Sequence, residues 1–492
     1  MSKAKRSAYY LLLGGMFSKA ISFIGSILLA RILFPEDYGY ILIAMIFTGF
    51  VDMLGNMGFE NYYLQQKIEN EDEEERILFM TFFLRLGLNF LLFSVQFFGS
   101  FVYEFYFDEK IVAELIRYFS FGLLITAFTQ VNLFILRKKL TYKPEVYGNT
   151  GRDVIGTGVK VLFASLGFGA LSFAYGSLFG NFVRMLIIFQ YNRYFPKRLS
   201  WDSALFKKIY FFGKHSVFTG IGMYATRQVD KIILTSFFPH AISGIYYFAD
   251  AQSKTILSYL IHPQASLIMS YSAKYKHNTE HLYQKLSQLG YMITAVLAPI
   301  IIFLIFFANP IFDFVFGNKW NESVVLFQIF TFYYFITEIT FPFSGILIAF
   351  GLPQIASKLV LYRFAILSVS LLCTTYFTRD IIHYLIVFTG ISFIFTWIKA
   401  FISLKLLHKS IIDYLQHIYK GFVLFIIYVL ILIFVSFIYE KTLDQMILST
   451  SLFILISALM HFIVYNHELL NVCKLILNNN NKFIKYMEKR QR

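Results

Sequence analysis

The sequence has little charge and almost no cysteine. Charged residues make up 15% of its 492 residues, compared with about 25% in soluble domains. The two cysteines, Cys373 and Cys473, are too few for a disulfide framework and lack the spacing of metal ligands. A G-x-x-x-x-G-K-[ST] motif is also missing, so the sequence carries no P-loop for ATP hydrolysis. We therefore expect no metal, no cofactor and no ATPase activity.

Long apolar runs are the main feature of the sequence. Hydrophobic residues account for 57% of the chain and come in runs of about 18 to 25, the length that crosses a hydrocarbon layer about 30 Å thick. The pattern predicts an all-α polytopic membrane protein with about 14 transmembrane helices. The first run lacks a small-x-small cleavage site, so we expect a retained span, not a signal peptide. The expected spans are 9–31, 38–59, 77–103, 114–136, 147–168, 170–191, 209–234, 242–265, 285–307, 323–350, 355–377, 381–403, 415–438 and 446–466.

The basic residues predict the orientation of these spans. With the N-terminus in the cytoplasm, the cytoplasmic segments hold roughly 28 Lys and Arg and the opposite segments roughly 6, as the positive-inside rule requires. An even number of spans then places both termini in the cytoplasm. The loops account for the net charge of +15, and no nucleic-acid partner is expected.

The loops between the spans are short. None is long enough to form a soluble domain, which excludes a receptor with an ectodomain. None carries the carboxylate cluster that a membrane-embedded polymerase or glycosyltransferase needs. We therefore expect no catalytic residues and no enzyme activity. The acidic segment ENEDEEER, residues 69–76, is expected to be a solvated loop.

Two similar turns divide the chain. FPEDYGY at 34–40 joins the first two spans, and FPHAISGIYY at 238–247 joins the seventh and eighth, about 204 residues later. Proline starts a new helical segment because it lacks an N–H, and Gly39 and Gly244 allow close approach at the start of the next helix. An offset of six spans predicts two six-helix lobes of the same orientation, with two further helices after them. The predicted boundaries are 1–200 and 201–408 for the lobes, 409–470 for the two additional helices and 471–492 for a basic cytoplasmic tail.

The residues of the two hairpins resemble a known family. The first hairpin contains LAR at 29–31, PEDYG at 35–39 and Asp52, and the second contains DKIIL at 230–234 and GIYYFA at 244–249. This pattern is similar to that of bacterial polysaccharide flippases, the Wzx-type members of the multidrug/oligosaccharidyl-lipid/polysaccharide exporter superfamily. The specific motifs cover only the two hairpins, whereas the last third of the chain matches the family in hydropathy alone.

The resemblance implies a transport function. Such flippases move an oligosaccharide repeat unit, linked to polyprenyl diphosphate, across the bacterial cytoplasmic membrane through a cavity between two lobes. The resemblance implies that this transport is ion-coupled or assisted by the membrane potential and does not use ATP. For this chain the resemblance implies a flippase in the biosynthesis of a surface polysaccharide, such as the O-antigen of lipopolysaccharide or a capsule. It also implies the lipid-linked glycan, membrane lipids, a polysaccharide polymerase and glycosyltransferases as partners.

Cations inside the predicted spans indicate a candidate site. A charge at the centre of a membrane helix costs about 2.5 to 3.5 kcal/mol, so it usually faces a cavity or a partner. We expect seven cations to line a cavity for the diphosphate, because Lys and Arg bind phosphate oxygens. For Arg85 and Arg184, near helix ends, the alternative is that they snorkel to the membrane surface. The seven are Lys19, Arg85, Lys160, Arg184, Arg227, Lys231 and Lys254.

Four acids inside the spans are expected to serve ion coupling or charge compensation. Asp230 either neutralises Arg227, three residues earlier, or is a protonatable or sodium-sensitive gate at the interface of the lobes. Asp250 is expected to pair with Lys254 at i, i+4. Glu338 lies beside the break in FITEITFPFSG, and broken helices often line transport paths. The four are Asp52, Asp230, Asp250 and Glu338.

Two other functions remain open at this stage. A peptidoglycan-precursor flippase also has fourteen spans and a cationic lumen, and only the first hairpin motif favours the polysaccharide flippase over it. A multidrug exporter of the same superfamily typically has twelve spans and an acidic lumen, because its substrates are cations. The predicted spans and the excess of buried cations argue against that function.

Overall fold

The computed structural model describes residues 3–438, except 56, 67, 69, 140, 197–200 and 262–264. The described residues form helices joined by short connections, which include a π-helical turn at 312–316 and 3₁₀-helical turns at 318–320 and 341–343. The helices are α1 (Lys3–Ile32), α2 (Pro35–Gly55), α3 (Phe59–Gln65), α4 (Glu71–Phe107), α5 (Lys110–Lys138), α6 (Lys143–Ser165), α7 (Leu171–Tyr191), α8 (Ser203–Phe237), α9 (His240–Ile261), α10 (Ala265–Tyr275), α11 (Thr279–Phe306), α12 (Ala308–Ile311), α13 (Ser323–Ile339), α14 (Ile346–Ala349), α15 (Pro353–Phe377), α16 (Ile381–Leu406) and α17 (Ile411–Ile438).

The all-α membrane-protein class predicted from the sequence is confirmed. Seven of the described helices are long and apolar enough to cross a membrane, and an eighth span is formed if α13 and the bent segment after it are taken together. The predicted span 446–466 and the tail 471–492 lie outside the described residues. The total of fourteen spans therefore stays a prediction.

Helices α6, α8 and α9 are not among the seven apolar helices of the described chain. They carry ionisable residues more than one turn from either helix end, including Lys160 in α6, Arg227 and Lys231 in α8, and Asp250 and Lys254 in α9. Burial of such groups is costly in a membrane, and helices that keep them usually face a polar interior. The three helices are therefore candidates for the walls of a transport path.

Asn and Asp side chains start several helices at their N-caps. Asp202 accepts hydrogen bonds from the N–H groups of Ala204 and Leu205 at the start of α8, at 2.9 and 3.0 Å. These bonds lower the pKa of the Asp202 carboxyl below its usual value, chiefly through the N–H of Leu205. Asp380 caps α16 in the same way, through the N–H of Ile382. Caps of this kind satisfy N–H groups that have no partner within the helix.

The acidic segment is mostly helical, and the expectation of a solvated loop is wrong for residues 71–76. Asn70 caps α4 by accepting from the N–H of Glu73 at 2.8 Å, and the acids that follow lie at the positive end of the helix dipole, where negative charge is favoured. Glu74 accepts a hydrogen bond from the hydroxyl of Tyr63. The acids therefore start α4 and bind the short helix α3 beside it.

The helices pack in two sets that meet at α2. In the first set, α4 packs on α5, α6 on α7, and α1 on α6. In the second set, α8, α15, α16, α13 and α9 follow one another around a ring, each packed on the next, with α11 against α13 outside it. Helix α2 packs against α4 and α5 of the first set and against α8 and α9 of the second. A path between the two sets must therefore pass beside α2.

The break expected beside Glu338 is confirmed. Helix α13 ends at Ile339, a turn follows at Phe341–Phe343, and the next segment is bent by 50° relative to α13. Pro342 in this turn cannot donate a backbone hydrogen bond, which explains why α13 does not continue.

Candidate functional site

The two Phe-Pro turns lie against each other at one end of the bundle, which we call the hairpin end. A Cβ added to Gly39 would lie 2.1 Å from the carbonyl oxygen of His240, and one added to Gly244 would lie 1.8 Å from the carbonyl oxygen of Pro35. Only glycine lets the backbones of α2 and α9 approach so closely. The repeated turn therefore closes the space between the two sets of helices at the hairpin end.

An aromatic cluster lies directly beneath this closure. Tyr38 contacts the ring of Phe248 edge-on at 5.5 Å and the ring of Trp320 at 5.0 Å. Trp320 stacks on Phe248 at 3.9 Å and donates its indole N–H to the carbonyl of Ala30 at 2.8 Å. Arg31 of α1 also donates to the carbonyls of the 312–316 turn. These contacts join the first set to the second and exclude water from the hairpin end.

Asp250 holds an ionic cluster between α8, α9 and α13. It is 3% exposed and lies 3.0 Å from the ammonium of Lys231 and 2.8 Å from that of Lys254. The hydroxyl of Tyr334 donates to its second oxygen. The i, i+4 pair predicted between Asp250 and Lys254 is confirmed. Lys231 joins the same carboxylate from the neighbouring helix, a contact that spacing along one helix does not predict.

Asp230 belongs to this cluster and not to a pair with Arg227. Its carboxylate accepts from the hydroxyl of Tyr246 at 2.9 Å and lies 3.7 Å from the ammonium of Lys231. The hydroxyl of Tyr384 in α16 donates to the backbone carbonyl of Asp230. The cluster has two carboxylates and two ammonium groups, so Lys231 and Lys254 are neutralised within it. An isolated buried charge is far more costly than a compensated group of this kind.

Arg227 is the cation of α8 that the cluster leaves out. It is exposed, and the described residues provide no carboxylate partner for it. Positions three and four apart share a helix face, so Arg227 lies between Tyr224, which donates to the carbonyl of Ile46 in α2, and Lys231, which binds α9. Since α2 and α9 flank this face, Arg227 opens onto the space between the two sets of helices.

Lys19 and Lys160 lie in the first set. Ser18, the neighbour of Lys19, donates to Asp153 in α6, which fixes the α1 face beside Lys19. Lys19, Ser26 and Ala30 lie on one face of α1. The carbonyl of Ala30 accepts the indole N–H of Trp320, so this face of α1 contacts the aromatic cluster. Lys160 lies with its ammonium 4.8 Å from the ring of Phe173, a cation–π contact. Phe173 in turn contacts Tyr38 at 5.8 Å, so Lys160 lies next to the aromatic cluster.

Arg85 and Arg184 lie in the same set of helices, away from the ionic cluster. Arg85 is 7% exposed, and its guanidinium lies 5.7 Å from the ring of Phe134, so it does not snorkel to the surface. Asp52 on α2 and Glu60 on α3 are the acids that interact with it electrostatically. Arg184 is half-buried beside the α6 backbone and does not meet Arg85 in any contact of the described structure.

Glu338 and a cation missed by the sequence reasoning lie in the second set. One carboxylate oxygen of Glu338 is buried without a hydrogen-bond partner among the described residues. Arg363 of α15, which the sequence reasoning did not single out, donates to the hydroxyl of Ser392 in α16 at 3.0 Å. Arg363 could have been identified from the sequence, because it interrupts the apolar run LVLYRFAIL. The free-energy cost of placing a charge inside a membrane helix, by which Lys19 was selected, applies equally to Arg363.

The arrangement has the features of a binding path. No group of three or more His, Cys, Asp or Glu in the described chain is placed to hold a metal ion. The hairpin end is closed, Arg227 is exposed on α8, and Lys19 and Lys160 lie on α1 and α6 of the first set. Such a path suits a polar or anionic ligand that enters from the other end of the bundle.

Comparisons with known proteins agree with this arrangement. A family model described as "Polysaccharide biosynthesis protein" matches residues 28–325. The chain is 22% identical over 305 residues to the succinoglycan biosynthesis transport protein ExoT of Rhizobium meliloti (strain 1021), covering 61% of this chain and 60% of the relative. It is 20% identical to the lipopolysaccharide biosynthesis protein WzxC of Escherichia coli (strain K12), covering 68% of each. The match to ExoT thus spans less than two thirds of that relative.

The fold is also found in solved structures. The lipid II flippase MurJ in an inward closed conformation matches with a TM-score of 0.69 at 14% identity, over 92% of this chain and 98% of that one. An inward-facing multidrug resistance MATE transporter of the MOP superfamily matches with a TM-score of 0.61 at 15% identity, over 82% and 95%. These identities establish a shared fold only. Since the family model covers more than half of the sequence, this chain belongs to the polysaccharide biosynthesis protein family and has the fold of MOP-superfamily transporters.

Proposed function

We propose that the chain is a flippase that moves a polyprenyl-diphosphate-linked oligosaccharide repeat unit across the bacterial cytoplasmic membrane for surface polysaccharide biosynthesis. Family membership supports this proposal, as do two relatives named for succinoglycan transport and for lipopolysaccharide biosynthesis. The described residues contain no metal-binding group, and the proposal requires no catalytic residue, because translocation breaks no covalent bond.

The observation that carries the proposal is the exposed guanidinium of Arg227 between α2 and α9. Arg binds phosphate with two parallel hydrogen bonds, and this one is not engaged by a carboxylate in the described chain. Lys19 on α1 and Lys160 on α6 are cations of the first set, and Lys160 lies next to the aromatic cluster at the hairpin end. We assign the diphosphate to these three residues. Lys231 and Lys254 are held by Asp230 and Asp250, so they shape the wall of the path and bind no substrate.

Translocation is proposed to follow alternating access. The close contact of α2 and α9 at Gly39 and Gly244 closes the hairpin end. The diphosphate therefore enters from the opposite end, moves past Arg227 and leaves when the hairpin end opens. The lobes that move are 1–200 and 201–408, with 409–470 as additional membrane helices and 471–492 as a basic cytoplasmic tail. Both termini are placed in the cytoplasm, and a polysaccharide polymerase and glycosyltransferases are the expected partners.

The alternative substrate is a peptidoglycan lipid precursor, since the MurJ structure shares the fold. The fold alone does not distinguish the two glycans, and the names of the sequence relatives favour the surface polysaccharide. A multidrug or cation antiporter is disfavoured because Arg227 repels a cationic substrate.

Neutralising the three cations is expected to abolish glycan export. The variant Lys19→Gln/Lys160→Gln/Arg227→Gln keeps polar side chains but removes three positive charges. A hydrogen bond to a charged group contributes about 1.5 to 3 kcal/mol, so three losses weaken diphosphate binding by more than about 1,000-fold. Surface polysaccharide is measured in cells that lack the chromosomal gene and carry the variant.

The control for this variant is Lys110→Gln, which removes a cation that is 75% exposed at the start of α5. It is expected to export glycan at the normal rate. Membrane abundance of both proteins is measured by immunoblotting. Normal export by the triple variant at normal abundance contradicts the assignment of the cavity.

The orientation is testable with single cysteines in a background in which Cys373 and Cys473 are replaced by Ser. A cysteine at the exposed position Glu36, in the hairpin-end turn, is expected to react with a membrane-impermeant maleimide in intact cells. A cysteine at the exposed position Lys207, near the start of α8, is expected to react only after permeabilisation. The reverse pattern places the hairpin end in the cytoplasm.

A further inference from the structure

Arg363 of α15 is a cation that the proposed transport does not use. Its guanidinium donates through Nη2 to the hydroxyl of Ser392 in α16 at 3.0 Å, and Ser392 is fully buried. The guanidinium therefore lies inside the second set of helices and does not snorkel to the membrane surface. A charge inside a membrane helix bundle normally has a counter-charge, because it is costly to bury alone.

No acid among the described residues forms an ion pair with Arg363. The two carboxylates of the ionic cluster are held by the two lysines of that cluster, so they have no charge left for a third cation. Glu338 of α13 is not a partner either, since no cation of the described chain acts on it electrostatically. The ionic cluster and Arg363 together carry one uncompensated positive charge.

Two hydroxyl groups and an unused N–H lie beside this charge. The Nε–H of Arg363 is buried without a hydrogen-bond acceptor among the described residues. The hydroxyl of Tyr333 in α13 interacts with both Arg363 and Ser392, and a tyrosine hydroxyl can donate a hydrogen bond. The same tyrosine interacts with the two aspartates of the ionic cluster. Helices α13, α15 and α16 thus bring donor groups together next to the cluster.

The counterpart of Arg363 in the first set has an acid beside it. Helix α15 packs on α8 and α16 as α6 packs on α1 and α7, and Lys160 of α6 lies 203 residues before Arg363, close to the offset between the two turns. Asp153, two turns from Lys160 on α6, acts on that ammonium electrostatically. The corresponding positions on α15 are Ala356 and Ser357. Neither carries a charge, so α15 lacks the acid that α6 has.

An anion fits the surroundings of Arg363 better than water does. A water molecule satisfies the Nε–H but leaves the positive charge uncompensated, whereas buried charges in proteins are paired. One excess positive charge requires one monovalent anion. The buried Nε atom of Arg363 and the buried side chain of Ser392 favour a small ion. A lipid-linked diphosphate has two phosphate groups and carries a lipid and a glycan, so it suits this interior less well than chloride.

We propose that Arg363, Ser392 and Tyr333 bind a chloride ion that neutralises the interior of the second set. The ion accepts hydrogen bonds from the Nε–H of Arg363 and from the hydroxyl of Tyr333, while Ser392 holds the guanidinium in place through Nη2. A ligand that binds the folded protein alone stabilises it. The site therefore acts on stability and is independent of the transported substrate.

Chloride binding is measured on the full-length protein, purified in dodecyl maltoside and sodium gluconate. Replacement of gluconate by chloride at constant ionic strength is expected to raise the midpoint of thermal unfolding. At a concentration 100 times its dissociation constant, chloride raises the ratio of folded to unfolded protein about 100-fold. Potassium chloride is expected to act as sodium chloride does, since the anion is the ligand. Broadening of the chlorine NMR line detects the bound ion directly.

Arg363→Gln is expected to abolish both the chloride dependence of the midpoint and the broadening of the chlorine line. Tyr333→Phe removes one donor to a charged ligand and is expected to weaken chloride binding about tenfold or more. A chloride titration of this milder variant tests the site even if Arg363→Gln fails to fold. The matched control is Lys358→Gln, which removes an exposed cation from the same helix and is expected to keep the wild-type response.

Equal midpoints in chloride and gluconate, with an unbroadened chlorine line, overturn the proposal. A wild-type chloride response in Arg363→Gln or in Tyr333→Phe overturns it as well. Undecaprenyl diphosphate is added as a competitor to separate a small-ion site from a substrate site. Displacement of chloride by this lipid assigns Arg363 to the substrate and contradicts the chloride site, whereas chloride that stays bound in its presence supports the site.

Discussion

Alanine at Gly39 and Gly244 is expected to stop transport by preventing closure of the hairpin end. The added Cβ atoms would lie 2.1 and 1.8 Å from backbone carbonyl oxygens of the facing turn, distances that no side-chain rotation relieves. The helices α2 and α9 must move apart instead. Forcing an extra methyl into a packed contact costs about 1 to 3 kcal/mol, so each alanine lowers the population of the closed state by about five- to 150-fold.

Trp320 reports this change directly. In the closed state its ring is buried, stacked on Phe248 and hydrogen-bonded to the carbonyl of Ala30. With Trp201 and Trp397 replaced by Phe, the emission of Trp320 is expected to move to longer wavelength in Gly39→Ala/Gly244→Ala. Glycan export is expected to fall to the level of cells without the protein.

The matched control is Gly222→Ala on α8, because a Cβ at Gly222 meets no atom within 4 Å. This variant is expected to export glycan and to keep the emission of the parent. Normal export by the Gly39/Gly244 variant would show that the transport cycle does not need the close contact of α2 and α9.

The repeated turn could be predicted from the sequence, but the contact between its two copies could not. FPEDYGY and FPHAISGIYY match at an offset of six spans, which is sufficient to propose two repeated units. That the two turns meet face to face depends on how the units pack. No periodicity within one helix contains that information, because the carbonyls of Pro35 and His240 belong to different units.

The buried charges show the same limit. The pair between Asp250 and Lys254 was predictable because both lie on one helix at a spacing of four. The contact of Lys231 with Asp250 joins two helices. Asp230 lies 3.7 Å from the same ammonium group and does not pair with Arg227, the partner that the sequence suggested. The cost of burial identified the right residue types, whereas the assignment of partners required the tertiary structure.

The buried polar residues of α4, among them Arg85, Asn89 and Gln96, were visible in the sequence only in part. Arg85 was selected because it is charged, whereas Asn89 and Gln96 look like ordinary polar residues in an apolar run. What distinguishes them is that their NH₂ groups bind α5 and their oxygens bind nothing among the described residues. A hydrogen-bond account of this kind needs atomic positions.

Lys231→Gln is expected to destabilise the protein strongly, and Lys254→Gln only slightly, although both lysines bind the same carboxylate. The side chain of Lys231 is 9% exposed and that of Lys254 is 48% exposed. Removing one partner of a buried ion pair costs about 3 to 5 kcal/mol, because the remaining charge is left uncompensated. An exposed ion pair contributes about 0 to 1 kcal/mol. Thermal unfolding of the purified proteins in detergent measures the difference.

Charge compensation, as distinct from packing, is tested by a second substitution. In Lys231→Gln the carboxylates of Asp230 and Asp250 are left with one lysine, so Asp230→Asn in the same chain restores neutrality at nearly constant volume. The double variant is expected to regain most of the lost stability, although Asp230→Asn alone leaves Lys231 in excess and destabilises. Equal losses in the single and double variants would mean that the Lys231 side chain acts by filling space. Recovery in the double variant means that the four charges form one neutral unit, in which Lys231 and Lys254 are already compensated by Asp230 and Asp250.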